Sequence, residues 1–223
     1  MGSLLVQMAI YGLAAAAAAP IAIVLSALIL AQSERPLTSV WVFTAGAAFL
    51  DLAMIAIVLV VFGASDIGSG GEASAILDTA LGALFLLLGV MAVFSKESPE
   101  KDAAQRQRAQ RVASSPLRRM FLMGILVQVI NIDAMAVFGV GLKEIVVADV
   151  STAEAAVALL FGLALMLVVY YGPGVFYALF RARASALLGP MTEWIMVHTR
   201  ALEIVTGFAL GAVFLWKGLA VLV

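Results

Sequence analysis

Six stretches of this 223-residue chain are apolar over about twenty residues or more, the length that crosses the hydrocarbon core of a bilayer. They cover residues 4–30, 39–62, 75–94, 120–148, 153–180 and 202–223. Inside hydrocarbon the backbone must satisfy its own polar groups, so only helices or a closed barrel can cross. The alternation of polar and apolar residues that barrel strands need is sustained nowhere. The chain is therefore expected to be an all-α integral membrane protein with six transmembrane helices. Composition agrees, with 64% hydrophobic and 12% charged residues, more apolar surface than a soluble domain of this size can hide.

Charge and cysteine content exclude several classes. The 13 basic and 14 acidic residues nearly cancel, which leaves no electrostatic footprint for nucleic acid. Without Cys there is no disulfide framework, thiolate metal site or Cys nucleophile. The first span differs from a cleaved signal peptide, because no Lys or Arg precedes Arg35 and the apolar run continues through Leu30; it is expected to remain. Orientation follows from Lys and Arg. Segments 32–38, 95–119 and 181–201 hold eleven of them: Arg35, Lys96, Lys101, Arg106, Arg108, Arg111, Arg118, Arg119, Arg181, Arg183 and Arg200. The opposite side has Lys143, with Lys217 inside the last span. The asymmetry predicts a multi-pass plasma-membrane protein with cytoplasmic basic loops and both termini extracytoplasmic.

The charged segment 96–119, with Ser98-Pro99 and Ser115-Pro116 near its ends, separates three spans in 1–95 from three in 120–223. It reads as a solvated cytoplasmic linker, or as a basic surface held against anionic headgroups. Residues 187–200, with Met191, Trp194, Ile195 and Val197 beside Glu193, His198 and Arg200, suggest a short interfacial helix. The halves echo each other. Span three opens Leu77-Asp78-Thr79-Ala80-Leu81-Gly82 and span six Leu202-Glu203-Ile204-Val205-Thr206-Gly207. Three spans per half invert the second half relative to the first, so Asp78 enters from outside and Glu203 from inside, as an inverted-topology repeat requires. The small residues that follow, Gly89 in one and Gly211 and Gly218 in the other, allow close helix packing, within the chain or in a homodimer.

Ionisable and polar residues within spans are costly and mark candidate sites. Asp51 shares a helical face with Thr44, Ala47 and Ala48, and Gln128 and Asn131 lie three apart on another. Asp133 is two residues past Asn131, about 200° around an ideal helix, so all three line one cavity only if the helix is broken there. Pro20 interrupts the first span and Gly172-Pro173 the fifth. Breaks at corresponding points of two halves point to a transport site, here Pro20 with Asn131 and Asp133. Asp78, Glu203 and Lys217 are secondary candidates, and each of these groups could instead serve packing or hydrogen bonding alone. Catalytic signatures are missing: no His/acid cluster has ligand spacing, and His198 stands alone among interfacial residues. Gly68-Ser69-Gly70-Gly71 lacks the strand and basic residue of a phosphate cradle. No enzyme activity and no cofactor are expected.

Together these features resemble the lysine-exporter (LysE) superfamily, with its mid-span proline in the first helix and an Asn-Pro-Lys-like motif in the fourth. Within it, the chain resembles the sulfolipid-addressing (GAP/Sap) family. The resemblance rests on Ala19-Pro20-Ile21, Ser33-Glu34-Arg35-Pro36, Phe43-Thr44-Ala45-Gly46, the basic loop, Asn131 and Trp194. It implies export of an envelope lipid, glycolipid or other small amphipathic solute. Proton coupling through Asp51 and Asp133 would accompany it, with Gln128 and Asn131 orienting the substrate. The fourth-span motif departs from the pattern, reading Asn131-Ile132-Asp133 where Asn-Pro-Lys is expected, and a carboxylate in place of a cation reverses the preferred ligand charge. That stretch is similar to motifs of the cadmium-resistance and manganese-exporter branches, which makes a divalent cation held by Asp51 and Asp133 the alternative cargo. A non-transporting membrane partner of an envelope-synthesis complex is a third reading.

Overall fold

The computed structural model describes residues 2–63, 71–94, 115–148 and 150–222, and every regular element among them is an α-helix. Most of the basic linker and of the Gly68-Ser69-Gly70-Gly71 loop lie outside the described residues. The helices are α1 (Gly2–Ala17), α2 (Pro20–Gln32), α3 (Pro36–Gly63), α4 (Gly71–Phe94), α5 (Leu117–Ile130), α6 (Ile132–Val147), α7 (Thr152–Met166), α8 (Val168–Phe180) and α9 (Ala182–Leu222). Two of these are long and apolar enough to cross a bilayer alone, α3 over Pro36–Ile57 and α9 over Ala186–Leu222. Three bent pairs, α1/α2, α5/α6 and α7/α8, bring the candidates to five. The expected third span lies within α4, of which Asp78–Phe94 is an apolar helical stretch.

Each bend has a local cause. Pro20 carries no N–H and cannot continue α1, so it opens α2 at the first-turn position that tolerates proline. The end of α1 tightens, with Ala19 N–H donating to Ala16 O at 3.1 Å, and the two helices diverge by 68°. Asn131 ends α5 and begins α6, with φ −81° and ψ 49° outside the helical basin, at a bend of 75°. The third bend, of 70°, falls at Leu167 and not at Gly172-Pro173. Pro173 sits buried inside α8. There the Gly-Pro-Gly run serves packing: without a Cβ on Gly174, Val40 of α3 comes within 3.0 Å of where one would be.

The expected interfacial helix at 187–200 is likewise absorbed into a longer element. α9 runs unbroken through Pro190 because Leu188, Thr192 and Ile195 form a buried face, packed on the side of α2, that holds the helix together. The 37 residues of its apolar portion span about 55 Å, so its first turns extend beyond a ~30 Å hydrocarbon core. Trp194 is exposed there, ring-stacked with His198.

Helix crossings are set by small residues, as expected where lipid gives no hydrophobic drive and packing must hold the bundle. α4 and α9 form the most extensive contact. A Cβ on Gly207 would lie 2.8 Å from the Cα of Gly89, and one on Gly211 2.9 Å from the nitrogen of Leu86. The small-residue faces of the third and sixth expected spans therefore meet inside the chain. Gly46 and Gly124 bring α3 against α5, and Gly12 and Gly162 bring α1 against α7. Gly124→Ala, whose Cβ would collide with the carbonyl of Phe43, is expected to destabilise by about 1–3 kcal/mol and lower the detergent melting temperature. Gly139→Ala meets nothing within 4 Å and is expected to leave melting unchanged or slightly raised.

Candidate functional site

The breaks at Pro20 and Asn131 open onto the same cavity, of about 530 Å³. Its lining is polar at Asn131, Asp133, Thr199, Glu203 and Thr206, and apolar at residues that include Pro20, Phe85, Leu88, Met91 and Ile130. Asp133 lies in the first turn of α6, where the positive end of the helix dipole favours an anion, and its Oδ1 accepts the N–H of Ala134 at 2.9 Å. Asp133 and Glu203 both line the cavity. The 75° bend is what turns Asn131 and Asp133 to one cavity despite their spacing along the chain.

Asp51 does not line this cavity. It stands behind it at the end of a buried hydrogen-bonded chain. Asn131 Nδ2 donates to the Tyr170 hydroxyl at 3.1 Å, that hydroxyl donates to Gln128 Oε1 at 2.5 Å, and Gln128 Nε2 donates to Asp51 Oδ1 at 2.7 Å. Every donor in this series points toward the carboxylate. Gln128 is fully buried, Asp51 is 3% exposed, and Asp51 Oδ2 has no partner. Tyr170 is also held by Ser26 Oγ, which donates to its carbonyl at 2.8 Å, and by Phe43, whose ring packs tilted against its own at 5.4 Å between centroids. Helices α2, α3, α5 and α8 thus all converge on this chain.

Sequence reasoning grouped Asp51, Gln128, Asn131 and Asp133 as one binding set, and the structure divides them. Asn131 and Asp133 face the cavity, while Asp51 and Gln128 support it through Tyr170. A cation shared by Asp51 and Asp133 does not fit this arrangement. The Asp51 carboxylate faces an amide donor, and the described residues contain no group of three or more His, Cys, Asp or Glu able to hold a metal ion. Thr44 is buried but turned away from ligands, its hydroxyl bonded to Val40 O of its own helix at 2.9 Å. Gly172 and Pro173 lie outside the cavity wall. Tyr170 was missed because a tyrosine in an apolar run gives no sign of what its hydroxyl meets.

A second polar cluster unites residues the sequence left apart. Lys143 of α6, 5% exposed, donates to both carboxylate oxygens of Asp78 on α4 at 3.1 Å. Lys217 of α9 reaches Glu144 at 2.5 Å, the Tyr11 hydroxyl at 2.8 Å and Asp78 at 3.8 Å. Lys143, which the charge count assigned to the exterior, is therefore a buried partner of a span carboxylate. The only sequence sign was an adjacent Lys-Glu pair inside an apolar stretch. Glu203, the repeat partner of Asp78 by motif, lines the cavity instead.

The described residues, all helical where regular, with bent apolar helix pairs and buried carboxylates, are those of a membrane protein. The chain belongs to the Sap, sulfolipid-1-addressing protein family, whose model matches residues 10–220. No curated protein and no solved structure matches it. Removing the centre of the buried chain tests its structural share. Gln128→Leu leaves Asp51 Oδ1 without its donor and the Tyr170 O–H without its acceptor, and is expected to cost about 2–6 kcal/mol, at about 1–3 kcal/mol per buried unsatisfied group. Thr44→Val, losing one bond within a helix, is expected to cost less than about 1.5 kcal/mol in the same melting assay.

Proposed function

We propose that this protein is a multi-pass plasma-membrane transporter, not an enzyme, that exports an envelope lipid, glycolipid or similar small amphipathic solute from the cytoplasmic side. One observation carries the reading: two broken helices from the two halves of the chain bring their breaks to one cavity lined by both polar and apolar residues. Irregular backbone at membrane depth is tolerated where it lines a cavity, and paired breaks of this kind characterise secondary transporters.

A three-plus-three inverted repeat, with both termini extracytoplasmic, accounts for the details. Gly12 lies seven residues before Ala19, the cap at the first break, and Gly124 seven before Asn131, the cap at the second. Each glycine sits at a close crossing, Gly12 with Gly162 and Gly124 with the Phe43–Ala47 stretch of α3. Under a pseudo-twofold axis those crossings exchange, because span one pairs with span five as span four pairs with span two. The α4–α9 contact then maps onto itself.

In this orientation the cavity occupies the cytoplasmic half, between the later turns of α4 and the turns of α9 around Glu203. The apolar residues receive acyl chain and the polar residues the headgroup. The described lining offers two carboxylates and neither Lys nor Arg, which suits a headgroup rich in hydroxyl donors, such as a sugar, better than a bare sulfate. The family's name refers to a sulfolipid; here the sugar of a glycolipid is the part the cavity would hold. Asp133 and Glu203 take up and release protons as the cavity changes sides, and Asp51 fixes Asn131 through Gln128 and Tyr170.

The test is transbilayer transfer of a short-chain fluorescent glycolipid in proteoliposomes under an imposed pH gradient. Loss of a hydrogen bond to a charged group, worth about 1.5–3 kcal/mol, is expected to slow transfer about tenfold or more in Asp133→Asn and in Glu203→Gln. Collapse of the gradient is expected to slow the wild type. Rates equal to wild type in both variants would mean that this cavity is not the transport site.

A further inference from the structure

The cluster around Lys143 has no role in the reading above, and it lies on the opposite side of the breaks from the cavity. We propose that the Asp78–Lys143–Glu144–Lys217 cluster, seated on a stack of three aromatic rings, is the extracytoplasmic gate of the transport pathway. The proposal rests on the transporter reading and its orientation.

The gate has two layers. Phe85 forms part of the cavity wall, and Phe214 stacks on it at 6.0 Å between ring centroids. Tyr11 stacks on the far side of Phe214 at 6.4 Å, and its hydroxyl accepts from Lys217. Phe85 and Phe214 are each 2% exposed, so a path outward from the cavity meets a dry aromatic plug and then, among the described residues, two acids and two lysines in ion-pair contact. The side chains come from α1, α4, α6 and α9, so no outward opening between these helices leaves the cluster intact.

Its chemistry suits two states and no intermediate. A buried ion pair gains little net stability, because desolvation offsets attraction, while an orphaned buried charge is strongly unfavourable. Closed, each charge has its partner; fully open, each has water; partly open, some have neither. The two halves also differ as alternating access requires. Asp78 is ion-paired in the sealed outer half, whereas Glu203, its counterpart by motif, lines the open cavity of the inner half.

The chain has no cysteine, so a single introduced thiol reports without background. Leu81→Cys, about one turn inward of Asp78 on α4, is exposed to a membrane-impermeant thiol reagent from the extracytoplasmic side, in parallel with glycolipid transfer on the same preparation. Adding Lys143→Gln, or the milder Lys217→Gln at a half-buried site, is expected to speed modification at least about tenfold. The double exchange Asp78→Lys with Lys143→Asp is expected to return the rate toward that of Leu81→Cys alone. Unchanged modification in both single variants overturns the gate, as does an acceleration that the exchange fails to reverse. Unchanged modification with intact transfer removes the gate and leaves the transporter. Reversible acceleration without glycolipid transfer by the wild type keeps the gated pathway and removes the glycolipid as its cargo.

Discussion

A backbone N–H or C=O inside hydrocarbon must find a partner within the protein, and this single constraint organises the molecule. Continuous helices meet it without assistance, which is why α3 and α9 can be long. A broken helix meets it only where protein or a wet cavity receives the freed groups. The breaks at Pro20 and Asn131 satisfy that condition by meeting each other. Their shared cavity is the consequence of placing two interruptions at membrane depth.

Close packing makes this arrangement rigid enough to matter. Bends of 68° and 75° would swing the half-helices apart unless their neighbours held them. The glycine crossings of α1 with α7 and α3 with α5 fix the outer segments at backbone contact distance. The chain from Asn131 through Tyr170 and Gln128 to Asp51 ties the break itself to α3 and α8. Buried polar networks of this kind contribute more to specifying one arrangement than to raw stability. A cavity lined by Asp133 and Glu203 can then keep its shape while presenting carboxylates that hydrocarbon alone would exclude.

Much of this was legible in the sequence, for reasons particular to each residue. Apolar runs declare spans because length and hydropathy are the constraint itself, and Pro20 declares a break because its ring cannot lie in a helix interior. The i, i+3 spacing of Gln128 and Asn131 and the depth of Asp51 brought the right residues together, although their division into cavity wall and support needed coordinates. Leu167 was illegible as a break, because its backbone conformation comes from tertiary packing, whereas the visible breaker Gly172-Pro173 was absorbed inside α8. Lys143 entered the sequence reading only through the charge count and Glu144 not at all, and only the fold brings Asp78 and Lys217 to them. The continuity of α9 through Pro190 depends on the buried face of Leu188, Thr192 and Ile195, which amphipathic composition alone did not separate from a free interfacial helix.

In the proposed orientation, a polar cavity reaches the helix breaks from the cytoplasmic side. That access is tested most directly by water-soluble thiol modification from that side at two neighbouring positions of α9. Thr206 lines the cavity, whereas Val205, 64% exposed, points away from the bundle. The account predicts rapid modification of Thr206→Cys, slowed by added glycolipid, and little modification of Val205→Cys at the same depth in lipid. Inert Thr206→Cys, or equal rates at both positions, would contradict it.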